Sequence, residues 1–221
     1  MKTDLDKIAV SSFAFIKMIE KLAIEKRNCL LSNGQRETVS DHIFKFSVLM
    51  MIASPHLKNK IDLLKVLKLI LAHDLVEFDE GDVPLHNQLD NNNVKLDKFQ
   101  KEQNAIKKLC AVLPPPMNTE LKALWFEYED AKTLEARLAK DFDYIEASLQ
   151  GNIYHDVSYW AKDPKGIKLY DHLLNRQSYC PEEPLVGSFI ALIKKVSEEN
   201  MTKIGLDVPS LKEKFSPKIG R

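Results

Sequence analysis

The stretch KVLKLILAHDLVEFDEGDVP, residues 65–84, restricts the fold of this chain more than any other. Its first half is apolar enough for a protein interior, and its second half carries His73, Asp74, Glu77, Asp79, Glu80 and Asp82. Taking an unpaired carboxylate out of water is costly, so a positive partner is needed. No Lys or Arg follows the acids within the segment. The partner must therefore come from a distant part of the chain or from a bound cation. Whatever the fold, it has to close around the end of this helix.

The rest of the chain reads as helices suited to that task. LDKIAVSSFAFIKMIEKLAIEK spaces its apolar residues three and four apart, as an amphipathic helix does. CLLSNGQRETVS is expected to be a loop around an Asn33-Gly34 turn. Ser40 is the expected N-cap of DHIFKFSVLMMIA, an almost wholly apolar helix that Pro55 ends. Asp62 caps the next helix, which is expected to run to about Phe78 with Gly81 as its stop. After the polar LHNQLDNNN, helical spacing returns in VKLDKFQKEQNAIKKLCAVL. Prolines 114–116 break the chain, and Asn118-Thr119 restart it into ELKALWFEYEDA, whose Trp125, Phe126 and Tyr128 read as core or dimer contact. Thr133 caps TLEARLAKDFDYIEASLQ, YHDVSYWAKDP is less regular, and a last helix lies near EEPLVGSFIALIKKVSEEN. No segment alternates as a strand would. The expectation is an all-α fold: one helical bundle over residues 1–206 with a site between core helices, then a poorly ordered tail over 207–221.

Composition narrows the function classes. With 221 residues, 44% apolar and 29% charged, the chain can bury one sizeable core. Lys plus Arg and Asp plus Glu number 32 each, a formal net charge of +0, which argues against a general binder of nucleic acid or anionic membranes. No apolar run is long enough to span a bilayer. MKTDLDKIAV has acids where a signal peptide would be basic, so a cytoplasmic protein is expected. Cys29, Cys110 and Cys180 are odd in number and lack C-x-x-C spacing, which argues against a disulfide framework or a zinc finger.

His-Asp occurs twice. His155-Asp156 lies in irregular polar sequence and is expected at the surface. His73-Asp74 ends an apolar helix, where ionisable groups must face a cavity, a partner or a metal. Glu77 follows His73 by four residues and Asp74 by three, so all three share one side of a helix. His42 sits within a turn of Ser40, where the chain enters the core. Asp143 lies beside the buried face marked by Leu138, Phe142, Ile145 and Leu149. Two imidazoles and two carboxylates are good joint ligands for a first-row divalent metal. Such a set leaves coordination positions open for water or a phosphoryl oxygen.

VSDH, AHDLVEFDEGDVP and FD, in that order, resemble the H…HD…D pattern of the HD-domain metal-dependent phosphohydrolases. Within that superfamily the chain resembles the 5′-deoxynucleotidase branch, which carries H-D-x-x-E-x-x-x-G-D, here His73, Asp74, Glu77, Gly81 and Asp82. LPPPMNTELKALWFEYEDAKTLEARLAK shares the likeness, which spans about residues 15–200. The resemblance implies an all-α fold in which His42, His73, Asp74 and Asp143 hold one divalent metal ion, drawn from Mn, Co, Fe, Ni, Zn or Mg. It implies Glu77 as catalytic acid/base and Asp82 as a carboxylate on the substrate side. Asp141 is a rival to Asp143, but the family has an apolar residue before the ligand Asp, and only Phe142-Asp143 fits.

Family members often carry Arg-Trp or Gly-Trp ahead of the first His, and the equivalent here is Arg27-Asn28. Arg27 then supplies a phosphate clamp, while Asn28 stands where a Trp would pack against the sugar. His86, like His155 and His172, reads as a surface residue rather than a ligand, though with Asp82 it could contact the sugar or leaving group. The implied activity is hydrolysis of 5′-deoxynucleoside monophosphates, with a small nucleotide as substrate and a homodimer as the assembly. One alternative is hydrolysis of a nucleoside triphosphate or alarmone. Alarmone hydrolases usually add a Glu-Asp pair before the last Asp, and Glu129-Asp130 occurs here inside WFEYEDA. The other alternative is a non-catalytic nucleotide-binding regulatory module.

Overall fold

Apolar spacing of three and four residues becomes helix along most of the chain. The computed structural model describes residues 4–83, 85, 92–153 and 164–215. The helices are α1 (Asp4–Ile19), α2 (Val39–Ala53), α3 (Leu63–His73), α4 (Glu77–Glu80) and α5 (Asn92–Ala111), followed by α6 (Met117–Asp130), α7 (Leu134–Ile153), α8 (Pro164–Asn175), α9 (Pro184–Lys203) and α10 (Val208–Phe215). Two short strands, β1 (Lys26–Leu30) and β2 (Arg36–Thr38), stand between α1 and α2. Helices α2, α3 and α7 pack on one another, with α6 against α3 and α9 against α7. Their seam is filled by Val39, Phe46 and Met50 of α2, Val66, Leu69 and Ile70 of α3, and Leu138, Phe142 and Ile145 of α7. Each such side chain contributes about 1.5–3 kcal/mol on burial. α1 buries no side chain, and Leu5 and Phe13 remain 77% and 74% exposed. Among the described residues, no helix is long and apolar enough to cross a membrane.

Four local expectations are corrected. The segment expected as a loop forms an antiparallel hairpin, with Lys26 opposite Thr38, Leu30 opposite Arg36 and an irregular register between those pairs. The strands are too short to show alternation in the sequence, but their pairing turns Cys29 into the core and half-buries Arg27. Gly34, in the connecting turn, has φ +79°, a left-handed value that favours glycine. The cap of α2 is Thr38 rather than Ser40. Asp41 N donates to Thr38 Oγ1 at 3.1 Å and Thr38 N donates to Asp41 Oδ2 at 2.9 Å. This reciprocal pair satisfies two amides and was legible as a Thr three residues ahead of an acid.

The helix over residues 63–78 is interrupted. α3 stops at His73, a 3₁₀ turn covers Asp74–Val76, and α4 follows. Gly81 ends α4 at φ 79° and ψ 172°, a region open in practice only to glycine. A Cβ there would also meet Glu25 Oε1 at 2.8 Å. The turn brings Asp82 back toward the helix it has just left, with its amide donating to Glu25 Oε1 at 3.2 Å.

The segment after residue 206, expected to be a poorly ordered tail, forms α10 up to Phe215. Asp207 accepts from Ser210 N at 3.1 Å and Ser210 Oγ at 2.7 Å, Val208 is buried, and Asn175 Nδ2 donates to Phe215 O at 2.9 Å. A cap followed by apolar residues three and four apart, Val208, Leu211 and Phe215, was sufficient to order it. Helix α8, opened by Pro164 and anchored by buried Tyr170 and Leu173, was not foreseen. His86 and His155-Asp156 lie outside the described residues.

Candidate metal centre

Distant segments deliver side chains to the end of α3. His42 comes from the first turn of α2, His73 from the last residue of α3, Asp74 from the 3₁₀ turn and Asp143 from the middle of α7. His42, His73 and Asp143 each offer one ligand atom, and these atoms all lie within 4.8 Å of one another. His42 Nε2 is 3.0 Å from Asp143 Oδ1 and 3.8 Å from Asp74 Oδ2. His73 Nε2 is 3.1 Å from Asp74 Oδ2. The break in the helix after His73 matters here, because it turns Asp74 toward the imidazoles.

Second contacts fix each of these groups. His42 Nδ1 donates to Glu146 Oε2 at 2.5 Å, and His73 Nδ1 donates to Ile70 O at 2.5 Å. Both rings therefore aim Nε2 at the centre, the arrangement in which an outer carboxylate or carbonyl orients a ligating histidine. Tyr128 OH donates to Asp143 Oδ2 at 2.8 Å, and its ring lies 4.7 Å from that of His73. Tyr128 is core, as the sequence suggested, but it also reaches the site.

Electrostatics follow from this crowding. Burial and Arg27 depress the His42 imidazole, but its hydrogen bonds to Asp143 and Glu146 outweigh them and lift it to about 9. Burial alone would raise Asp74, yet the fields of His73, His42 and Arg27 hold it well below the usual carboxylate range. Asp143 is likewise held low against burial, chiefly by its hydrogen bond to His42. Glu77 goes the other way: burial, then Asp74 and Asp82, push it well above the usual range. A buried carboxyl poised in this way beside charged neighbours is the pattern of a proton-transfer group.

The donor set fits a first-row divalent cation. Buried polar atoms without a hydrogen-bond partner include His73 Nε2, Asp74 Oδ2 and Glu77 Oε2. Leaving such atoms unsatisfied costs about 1–3 kcal/mol each, more when charged, and a cation among them would remove that cost. The rival Asp141 is excluded by its own contacts. It is fully buried and accepts from Arg176 Nη2 at 2.9 Å, Ser178 Oγ at 2.7 Å, Tyr179 N at 3.1 Å and Cys180 N at 2.8 Å, which pins the segment ahead of α9.

Arg27 and Asp82 are both brought beside Asp74 and its neighbours. Arg27 Nη1 lies 3.6 Å from Asp74 Oδ2 and 4.0 Å from Asp82 Oδ1, and its Nε lies 3.2 Å from Glu37 Oε2. Arg27, Asn28 and Asp82 line a cavity of about 110 Å³ together with Tyr144, Asn152 and Ser197. His172 also lines this cavity, edge-on to Tyr144 at 5.7 Å. Glu37, Lys45, Glu146 and Gln150 were not foreseen. Glu146 had a signal, since it lies one turn after Asp143 on the same helix. Glu37 had none while its hairpin was read as a loop.

A helical bundle that gathers two histidines, two aspartates and a buried glutamate around one point is the architecture of an HD domain. The HD domain family model matches residues 19–175, and the chain belongs to that family. Among named proteins it is similar to 5′-deoxynucleotidase HDDC2 of Dictyostelium discoideum, 37% identical over 147 residues, which are 63% of this chain and 75% of that protein. It is 28% identical over 198 residues to 5′-deoxynucleotidase HDDC2 of Homo sapiens, covering 89% of each chain. It is 30% identical over 164 residues to 5′-deoxynucleotidase YBR242W of Saccharomyces cerevisiae, covering 72% of this chain and 63% of that one. In fold it matches a crystal structure described as a predicted metal-dependent phosphohydrolase from Magnetospirillum magnetotacticum MS-1. That match has a TM-score of 0.73 and 24% identity over 90% of this chain and 97% of the other.

Proposed function

We propose that this chain is a metal-dependent phosphohydrolase that cleaves 5′-deoxynucleoside monophosphates to nucleoside and phosphate. The observation that carries the reading is the convergence of His42, His73, Asp74 and Asp143 beside Glu77, with Arg27 facing the same point. The family and the names of its members supply the substrate class. His42, His73, Asp74 and Asp143 would hold the divalent ion, which would supply Lewis acidity and lower the pKa of a water so that it ionises near neutral pH. Arg27 holds the phosphate through paired N–H donors, with Glu37 fixing its orientation. One proton of the water passes to solvent, the hydroxide oxygen bonds to phosphorus as the bond to the 5′ oxygen breaks, Glu77 gives its proton to that leaving oxygen, and solvent then reprotonates Glu77. Asp82, 4.0 Å from Arg27 and lining the same cavity, faces the sugar. Positioning and charge balance carry most of the catalysis in such a transfer.

The alarmone alternative is disfavoured by the partners of the acid pair. Glu129 pairs with Lys140 at 2.6 Å and Asp130 with Lys132 at 3.0 Å. A binding module without chemistry would not need a buried Glu77 whose Oε2 lacks a hydrogen-bond partner next to the ligands.

A panel of nucleotides tests the reading. With Mn2+ present, phosphate is expected from monophosphates and not from triphosphates. Asn28→Trp is expected to raise the preference for deoxyribose over ribose by roughly tenfold, by restoring an aromatic wall against the sugar. Release of phosphate from triphosphates alone would overturn the assignment.

A further inference from the structure

A chain of ion pairs runs from Arg27 to His42. Arg27 Nε lies 3.2 Å from Glu37 Oε2, an ion pair without hydrogen-bond geometry, and Glu37 Oε1 accepts from Lys45 Nζ. Lys45 Nζ meets Glu146 Oε1 at 3.0 Å, and Glu146 Oε2 accepts from His42 Nδ1 at 2.5 Å. Charge alternates along this path. Each carboxylate gives one oxygen to Lys45 and the other to a residue of the site. Glu37 is fully buried and Glu146 is 5% exposed, so neither can turn to water for a replacement partner. Gln150 fixes the amine from a third side: its Oε1 accepts from Lys45, and its Nε2 donates to Leu30 O at 2.7 Å, on the same strand as Arg27.

We propose that Lys45 is a positioning residue that ties the phosphate clamp Arg27 to the metal ligand His42 through Glu37 and Glu146. The inference rests on the phosphohydrolase reading above and extends it to how the site is held. Lys45 touches neither substrate nor metal. Without its amine, Glu37 is free to turn both oxygens onto Arg27 and draw the guanidinium away from Asp74 and Asp82. Glu146 meanwhile loses the contact that sets its angle to the His42 ring. Outer contacts of this kind typically change metal affinity by about 10–100-fold. One substitution at Lys45 should therefore weaken two measurable properties that belong to different elements, the metal site on α2, α3 and α7 and the anion site on β1.

The test uses the full chain, stripped of metal, with Mn2+ binding followed by calorimetry and monophosphate hydrolysis followed by phosphate release. Lys45→Met is expected to lower Mn2+ affinity by about tenfold and to raise KM by about tenfold. Lys45→Arg is expected to restore both. In a Glu146→Gln background, Lys45→Met should cost less than about threefold further in Mn2+ affinity, because its path to the metal is already cut. In a Glu37→Gln background its effect on KM should shrink in the same way. Unchanged Mn2+ affinity and KM in Lys45→Met would overturn the proposal, and so would effects that add in full in both double variants, as a general loosening of the fold would give. Lys45 is 31% exposed in its side chain, and Lys45→Gln serves for the same measurements where the Met variant does not fold. A wild-type protein that binds no Mn2+ and releases no phosphate would refute the phosphohydrolase reading itself. An active wild type with unaltered Lys45 variants would refute the bridge alone.

Discussion

Asp74→Ala is expected to remove both metal binding and hydrolysis while leaving the bundle folded. Asp74 stands against both imidazoles and the guanidinium, 3.1 Å from His73, 3.8 Å from His42 and 3.6 Å from Arg27. Loss of outer contacts alone typically costs a metal site about 10–100-fold, so loss of a direct ligand should cost at least about 100-fold in Mn2+ affinity. The fold has other supports. Arg27 keeps Glu37 and Asp82 as partners, and the apolar seam of α2, α3 and α7 is untouched. Metal content by elemental analysis, paired with a thermal unfolding curve, separates the two effects. A folded variant that retains one metal and its activity would remove Asp74 from the ligand set.

Glu77→Gln is expected to give a different result: metal retained, turnover lost. The substitution keeps the volume and leaves the four proposed ligands in place, so Mn2+ affinity should change by less than about threefold. Proton transfer by a placed side chain typically contributes about 10²–10⁴-fold, and kcat should fall by that factor with little change in KM. The sign of the pH dependence follows from the raised pKa of Glu77, caused by burial first and then by Asp74 and Asp82. A group that acts as an acid is competent below its pKa and fails as pH rises through it. Wild-type activity should thus decline on an alkaline limb that lies above the ordinary carboxylate range, and Glu77→Gln should lack that limb. A pH–rate profile measures this, and an unchanged kcat would reduce Glu77 to a structural role.

Much of this site could be read from the order of residues. His73, Asp74 and Glu77 were visible because ionisable groups at the end of an apolar helix demand a reason, and helix spacing alone places them together. His42 and Asp143 were visible as polar residues where the chain enters or borders buried faces. The hairpin was not visible, because five and three residues are too few for alternation to stand out, and Glu37 was lost with it. The break after His73 was hidden as well. LILAHDLVEF keeps helical spacing throughout, and only the packed structure shows the 3₁₀ turn that swings Asp74 inward. In the sequence Lys45 is one of few charges on an apolar helix. Its meaning depends on Glu37 from the hairpin and on Glu146, 101 residues further on, and no local pattern joins them. The helix after Asp207 was legible in principle, through its cap and apolar spacing, but the nearby lysines and prolines suggested a tail.

The central claim is that the acids at the end of α3 are balanced by one divalent cation on which hydrolysis depends. The most direct measurement is phosphate release from a 5′-deoxynucleoside monophosphate by metal-stripped protein as Mn2+ is added in known amounts. No release is expected without metal, followed by a rise that levels off at one cation per chain. Undiminished release from stripped protein, or saturation only at two cations per chain, would contradict it.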